Sequence, residues 1–347
     1  MEKDKKRFKL FDTQRVGKGI SKKKEIRLGS FGGFFSLYKN NFGKISYINL
    51  FYVLGNFPII FFILTLSGYT KNASLMPFYD IFQNVNSIIS IEGISPASMT
   101  MLASFGIQNN VMIPSVLTYV FYGISLLTLF TFGIVNAGTA YALRNVAMGD
   151  PVFVWSDFWY AVKRNWKQAL PFGIIDGLIN MLLVYNIYTN LAASNFMLSL
   201  MFWCNIILFL IYYCMRFYIY VQMVTFKLSI FKIIKNSLIF FFLGMKRNLL
   251  ALLGSLLIFF LEIIFLFGSG GFFFALGLML PLMIMISTAA FMKVYASYYK
   301  IKEVIIDPYY EEHPEEKPEP VEAEAIMRDD VTELERLEEI KRRNGIQ

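Results

Sequence analysis

Six long runs of apolar residues divide the chain and alternate with segments rich in polar and charged residues. They cover residues 45–67, 114–137, 169–189, 196–222, 249–268 and 272–296. Each run approaches or exceeds the ~20 residues that an α-helix needs to cross ~30 Å of hydrocarbon. The pattern therefore predicts an all-α integral membrane protein with six transmembrane helices.

Three further segments are amphipathic, and each directly precedes a pair of predicted spans. They lie at residues 30–41, 150–166 and 229–247. In the first segment, aromatic residues recur at helical spacing from Phe31 to Tyr38, with Ser30 as the expected N-cap. The second segment opens on the helix-start signal Asp150-Pro151. Segments of this kind lie in the headgroup layer, so we predict three interfacial helices.

Each amphipathic segment ends in a cluster of basic residues and asparagine. The recurring positions are Lys39, Asn41, Lys163, Asn165, Lys246 and Asn248. Together with the spans that follow, they predict an internal repeat of three units, each an interfacial helix, an outward span and a return span. We expect the three units to lie around a pseudo-threefold axis. The alternative is that basic residues recur at the cytoplasmic boundary of any membrane protein.

Composition supports a membrane protein, since 56% of the residues are hydrophobic and only 17% are charged. Ordinary globular domains hold roughly half apolar and about a quarter charged residues. An apolar excess of this size cannot be buried within one soluble core.

The positions of the basic residues predict the orientation of the spans. All Lys and Arg residues except Lys71 fall in four segments, residues 1–44, 144–168, 216–247 and 293–347. Lys and Arg are retained on the cytoplasmic side of short loops. We therefore expect both termini in the cytoplasm and residues 68–111 outside.

The same distribution predicts three parts along the chain. These are a basic cytoplasmic N-terminal segment (1–29), a six-helix membrane domain (30–306) and an acidic cytoplasmic tail (307–347). The outer loop, residues 68–111, is expected to form short amphipathic helices near 78–89 and 98–105, either as a cap over the helix ends or as a lid over a ligand. The net charge of +8 is expected to attract anionic lipid at the cytoplasmic face rather than nucleic acid, because no nucleic-acid-binding module is recognisable.

Groups suited to catalysis are sparse in this sequence. The single histidine, His313, lies in the predicted tail, and both cysteines, Cys204 and Cys214, lie within one predicted span. No nucleotide-binding loop or zinc-binding spacing occurs. We therefore predict neither an enzyme nor a metal or cofactor site.

Ionisable residues inside spans are costly in a membrane and are the default functional candidates there. The candidates here are Asp176, Glu262 and Arg216. We expect Arg216 to pair with Asp176 if the third and fourth spans are neighbours. For each acidic residue, a purely structural role is the alternative.

The stretch from residue 138 to residue 179 resembles the YesL-like family of bacterial membrane proteins, a family defined by a domain of unknown function. The residues that carry the resemblance are Gly138, Thr139, Ala140, Gly149, Asp157, Phe158 and Gln168. Including the span order, the resemblance extends over roughly residues 28–300. It implies a multi-pass protein of the cytoplasmic membrane of Gram-positive bacteria, encoded beside sugar-uptake ABC transporters, glycoside hydrolases and sensor kinases.

Two functions follow as expectations. The first is a non-catalytic accessory component of a carbohydrate uptake or sensing system, with an ABC sugar permease or a sensor kinase as partner. The alternative is a small-solute or ion transporter or channel in its own right. A transporter is expected to contain broken helices or a polar cavity at mid-membrane.

Overall fold

The computed structural model of the chain describes residues 28–77, 95–97, 100, 108–191, 195–268 and 271–316. The chain divides into two units, residues 1–301 and residues 302–347. The described part of the first unit is built almost entirely from helices, as the apolar runs predict.

The first amphipathic segment forms α1 (Phe31–Asn40). The Ser30 side chain accepts a hydrogen bond from the Gly33 N–H at 3.0 Å, so the predicted N-cap is confirmed. Phe34 is buried, whereas Phe31 and Phe35 are exposed. The helix is therefore amphipathic, with part of its aromatic face left uncovered by the protein.

The first predicted span is broken into two helices. Helix α2 (Phe42–Gly55) and helix α3 (Ile59–Leu66) meet at an angle of 68°. Pro58 lies at the break, and proline lacks the N–H that would continue the helix. Within the described residues, five helices are long and apolar enough to span a membrane, or six if this bent pair is one span.

The outer loop begins and ends with strands rather than helices. Strands β1 (Lys71–Pro77) and β2 (Gln108–Pro114) pair antiparallel, with Lys71 opposite Pro114. The strand pair was not predicted, because pairing between distant segments leaves no local periodicity; the short helices predicted near 78–89 and 98–105 fall between the two strands in the chain. Residues 78–89, and all of 98–105 except residue 100, lie outside the described residues.

The second predicted span is longer than the apolar run. It consists of α4 (Val116–Ser125) and α5 (Leu127–Met148), which together form one continuous candidate span. The Ser115 and Thr118 side chains both donate hydrogen bonds to the Thr70 carbonyl, which fixes the start of α4 to the base of the strand pair.

Helix α6 (Val154–Asn190) joins the second amphipathic segment and the third span in a single helix of 37 residues. The prediction of a separate interfacial helix starting at Asp150-Pro151 was therefore wrong. Lys167 and Gln168, at the expected boundary, are good helix formers, and Pro171 is accommodated within the helix.

The remaining helices of the first unit are α7 (Phe196–Thr225), α8 (Ile230–Leu243), α9 (Met245–Phe267), α10 (Gly271–Leu280) and α11 (Ile286–Ile301). The third amphipathic segment ends at Leu243, and the basic residues Lys246 and Arg247 already belong to the first turn of α9. A π-helical turn (Pro281–Met285) separates α10 from α11.

The three return spans, α5, α7 and α11, pack against one another. Each also packs against the outward span before it, α2 with α5, α6 with α7 and α9 with α11. An arrangement around a pseudo-threefold axis would produce these neighbours. The superposition of the three units stays a prediction.

The described part of the second unit is short. It contains a π-helical turn (Lys302–Ile306), α12 (Asp307–Glu312) and a 3₁₀ turn (Pro314–Glu316). His313 Nδ1 lies 3.6 Å from Glu315 Oε1. The rest of the acidic tail, residues 317–347, lies outside the described residues.

Candidate functional site

A cavity lies where the three return spans meet. Its volume is about 60 Å³, which is enough for a few waters. It is lined by Tyr52 of α2, Asn136 and Ala140 of α5, Tyr213, Arg216, Phe217, Tyr220 and Val221 of α7, and Ala290, Lys293 and Val294 of α11. Every return span therefore contributes a polar side chain to one cavity.

The predicted pair between Asp176 and Arg216 is present beside this cavity. Arg216 Nε lies 2.8 Å from Asp176 Oδ1, which makes α6 and α7 neighbours at this level. Nε forms no aligned hydrogen bond, so the contact is an ion pair held by charge and proximity. The Asp176 side chain is fully buried, whereas Arg216 keeps 17% of its side-chain exposure.

The Asp176 carboxylate oxygens also accept hydrogen bonds from three neighbouring side chains. Oδ1 accepts hydrogen bonds from the Tyr212 hydroxyl at 2.8 Å and the Asn180 amide at 2.9 Å. Oδ2 accepts one from the Tyr220 hydroxyl at 2.7 Å. These contacts fix the position of the buried carboxylate, and removal of Arg216 would leave its charge without an ionic partner.

Arg216 is positioned from two sides. Its guanidinium lies over the Phe132 ring of α5, 5.2 Å from the ring centroid, in a cation–π contact. Asp176 holds the other side. The cation therefore stays at the wall of the cavity rather than reaching toward the membrane surface.

Lys293 is the functional candidate that the sequence did not single out. Its Nζ lies 3.4 Å from the Tyr213 hydroxyl, and 5.1 Å and 5.9 Å from the ring centroids of Tyr213 and Phe217. Among the residues that the structure describes, no carboxylate forms an ion pair with Lys293. The sequence places Lys293 at the cytoplasmic boundary of the last span, where a lysine is ordinary, so its position carried no signal.

The electrostatics of the cavity follow from these three charges. Arg216 and Lys293 line the cavity, whereas Asp176 lies outside the lining and balances the charge of Arg216. The surroundings therefore carry one positive charge in excess. Low-dielectric surroundings strengthen the field of that charge.

A π-helical turn lies near the cavity. Asn49 of α2 donates hydrogen bonds to the carbonyls of Pro281 and Leu282, both at 2.8 Å, and accepts one from the Ser287 N–H at 2.8 Å. These are backbone groups at the π-helical turn. Tyr52 lies about one turn further along α2 and lines the cavity. Helix α2 therefore both supports the π-helical turn and forms part of the cavity wall.

Glu262 is not brought into this arrangement. It lies on α9 and is not among the residues that line the cavity. Its Oε2 atom is buried and has no hydrogen-bond partner among the described residues. Among the described residues, no group is therefore placed to take part in binding or proton transfer with the Glu262 Oε2 atom.

The recurring residues at the cytoplasmic boundary have unequal contacts. Asn41 and Asn165 donate to the carbonyl four residues earlier, at 3.0 Å and 2.9 Å. Asn248 instead accepts a hydrogen bond from the Tyr218 hydroxyl at 2.6 Å and donates to the Phe241 carbonyl. The three lysines of the motif, Lys39, Lys163 and Lys246, are all exposed.

The residues that carry the family resemblance shape the region between α5 and α8. A Cβ at Gly138 would overlap the Phe158 ring, which stacks on Phe51 with a centroid distance of 4.2 Å. Gly149 ends α5 with φ +83°, the left-handed conformation that favours glycine.

The other residues of this set act locally. Asp157 accepts from the Phe153 N–H at 3.1 Å at the start of α6, and Gln168 donates to the Leu228 carbonyl at 3.0 Å. Thr139 donates to the Val135 carbonyl at 2.7 Å. Ala140 lines the cavity.

Comparison with known families gives one match. Residues 115–187 match DUF624, described as a protein family of unknown function. No curated protein and no solved structure matches the chain. The matched segment contains α4, α5 and most of α6, including Asp176. The chain therefore contains a segment similar to DUF624 within a multi-pass membrane protein, and this match does not define an activity.

Proposed function

We propose that the protein is a transporter or channel for a small polar solute, located in the bacterial cytoplasmic membrane, and that the solute passes through the cavity between α5, α7 and α11. The observation that carries the proposal is the cavity, since polar groups from Tyr52, Asn136, Arg216 and Lys293 line it. Ionisable side chains within membrane spans are costly and often mark substrate or ion pathways.

One broken helix and one π-helical turn beside the cavity support the same function. The 68° bend between α2 and α3 and the π-helical turn before α11 both occur in helices that contribute to its wall. Discontinuous helices around a central site are common in secondary transporters, where they let one part of the bundle move against the rest.

The alternative proposal is an accessory subunit that binds an ABC sugar permease or a sensor kinase. It rests on the sequence resemblance and on the acidic tail, most of which lies outside the described residues. No described contact favours it. Such a protein, like the transporter, would act without catalysis.

Reconstitution of the full-length protein into proteoliposomes tests the transport proposal. Uptake of small labelled solutes, neutral and charged, is compared between the wild type and Lys293→Met, with Lys232→Met as the matched control. Lys232 is exposed on α8 and does not line the cavity. We expect uptake by the wild type and by Lys232→Met, and reduced uptake by Lys293→Met.

A panel of solutes that all fail to cross would contradict the transport proposal. Affinity purification of the tagged protein from its native membrane addresses the alternative. Recovery of a permease or kinase at near-stoichiometric yield would support the accessory role.

A further inference from the structure

We infer that the cavity is an anion site, in which Arg216 and Lys293 bind one small monovalent carboxylate. The inference rests on the proposed function in so far as the cavity holds the solute, and it names the chemical class of that solute.

The charges come from two neighbouring return spans. Arg216 of α7 and Lys293 of α11 line the same cavity. Asp176, the carboxylate paired with Arg216, is fully buried and is not part of the lining. A ligand in the cavity would therefore meet cations rather than the carboxylate.

Asp176 cannot neutralise both cations. Its two oxygens already accept from Tyr212, Asn180 and Tyr220 and lie beside Arg216. Lys293 meets only aromatic rings and the Tyr213 hydroxyl among the described residues. One positive charge is left beside the cavity, and a bound monovalent anion would offset it.

The donor types favour an oxyanion. A guanidinium and an ammonium group form short, strong hydrogen bonds with carboxylate oxygens. Tyr52 and Tyr213 add hydroxyl groups to the lining, and Ala140, Val221 and Ala290 add small apolar surface. Such a wall suits a ligand with a charged head and a short apolar end.

The size of the cavity limits the ligand. A volume of about 60 Å³ holds a few waters, so formate or acetate fits within the cavity, whereas a six-carbon sugar acid would extend outside it. The charge balance limits the number of carboxylates, because one excess positive charge matches one carboxylate.

Thermal unfolding of the purified full-length protein in non-ionic detergent tests the inference. The midpoint is followed by tryptophan fluorescence in sodium acetate and in sodium gluconate at equal ionic strength. Gluconate carries the same charge but is too large. We expect acetate to raise the midpoint with increasing concentration, as a ligand of the folded state does, and gluconate to leave it unchanged.

Three variants assign the effect to the cavity. Lys293→Met is expected to weaken the apparent acetate affinity by about tenfold or more, because a charge-assisted contact is lost. Lys293→Arg is expected to retain acetate binding, and Lys232→Met to titrate like the wild type. If Lys293→Met titrates like the wild type, or if gluconate stabilises as well as acetate, the inference is wrong.

The remaining outcomes separate this inference from the proposed function. Acetate binding without uptake into proteoliposomes would remove the transport function and keep the anion site. Uptake of a neutral solute that acetate does not inhibit would keep transport and overturn the anion site. Anionic lipid that co-purifies with the wild type, but not with Lys293→Met, would also overturn the small-carboxylate assignment.

Discussion

Asp176 shows how a single residue determines local geometry in this protein. Its carboxylate contacts the side chains of Tyr212, Asn180, Tyr220 and Arg216 at distances of 2.7 to 2.9 Å. Two helices are thereby fixed at one level. An intramembrane carboxylate therefore has a structural role here, and the group available to a ligand is the cation beside it.

Replacement of Asp176 by Asn is expected to destabilise the protein by about 3 kcal/mol or more, because Arg216 is left as an uncompensated buried charge. The double variant Asp176→Asn with Arg216→Gln is expected to recover part of that loss. Thermal unfolding in detergent measures both. A double variant less stable than the single one would contradict the ion pair as the source of the effect.

The contact between α5 and α6 depends on two glycines. A Cβ on Gly133 would overlap the Ala169 carbonyl and the Gly173 backbone, and a Cβ on Gly173 would overlap the Gly133 backbone. Small residues allow such close approach of helices in membranes. Within the segment matched by DUF624, this close approach brings α6, and with it Asp176, against the bundle.

We expect Gly133→Ala to lower the stability by about 2 kcal/mol, because over-packing forces the two backbones apart. The matched control is Gly123→Ala on α4, where a Cβ would meet nothing within 4 Å. The unfolding midpoint and the yield of monodisperse protein are the measurements. Equal effects of the two substitutions would rule out the close helix contact as the cause.

The π-helical turn is held by hydrogen bonds from one side chain of α2. Asn49 satisfies two of its carbonyls and the Ser287 N–H. Replacement of Asn49 by Leu is expected to increase hydrogen exchange in residues 282–290, since unpaired buried backbone groups destabilise the turn by about 1–3 kcal/mol each.

Asn205→Leu is the control for that experiment, because among the described residues Asn205 bonds only the Met201 carbonyl of its own helix and lies far along the chain from the turn. Exchange that rises equally in both variants would show that the turn does not depend on Asn49.

At the scale of the whole molecule, the distribution of basic residues makes a topological prediction. In a background with the free cysteines Cys204 and Cys214 replaced, a cysteine at the exposed position Asn72 of β1 is expected to react with an impermeant reagent added outside. A cysteine at the exposed position Lys163 of α6 is expected to react only after the membrane is opened. The reverse pattern would contradict the orientation.

The spans and one helix cap could be predicted from local sequence alone. The spans follow from apolar runs, because a backbone in lipid must satisfy its own hydrogen bonds within a helix. The cap at Ser30 follows from the chemistry of a helix start. The pairing of Asp176 with Arg216 was a conditional prediction, since it required that α6 and α7 be neighbours.

The sequence by itself determined the class of protein, the approximate spans and the two charged residues that pair. Tertiary structure decided the rest, including the strand pair in the outer loop, the continuity of α6 through Pro171 and the place of Lys293 at the cavity. The physical reason is that strand pairing, and the face that α11 turns toward α7, depend on contacts between residues far apart in the chain. No local pattern encodes those contacts, and a lysine at the end of a span has the same sequence signature whether it faces lipid headgroups or a cavity.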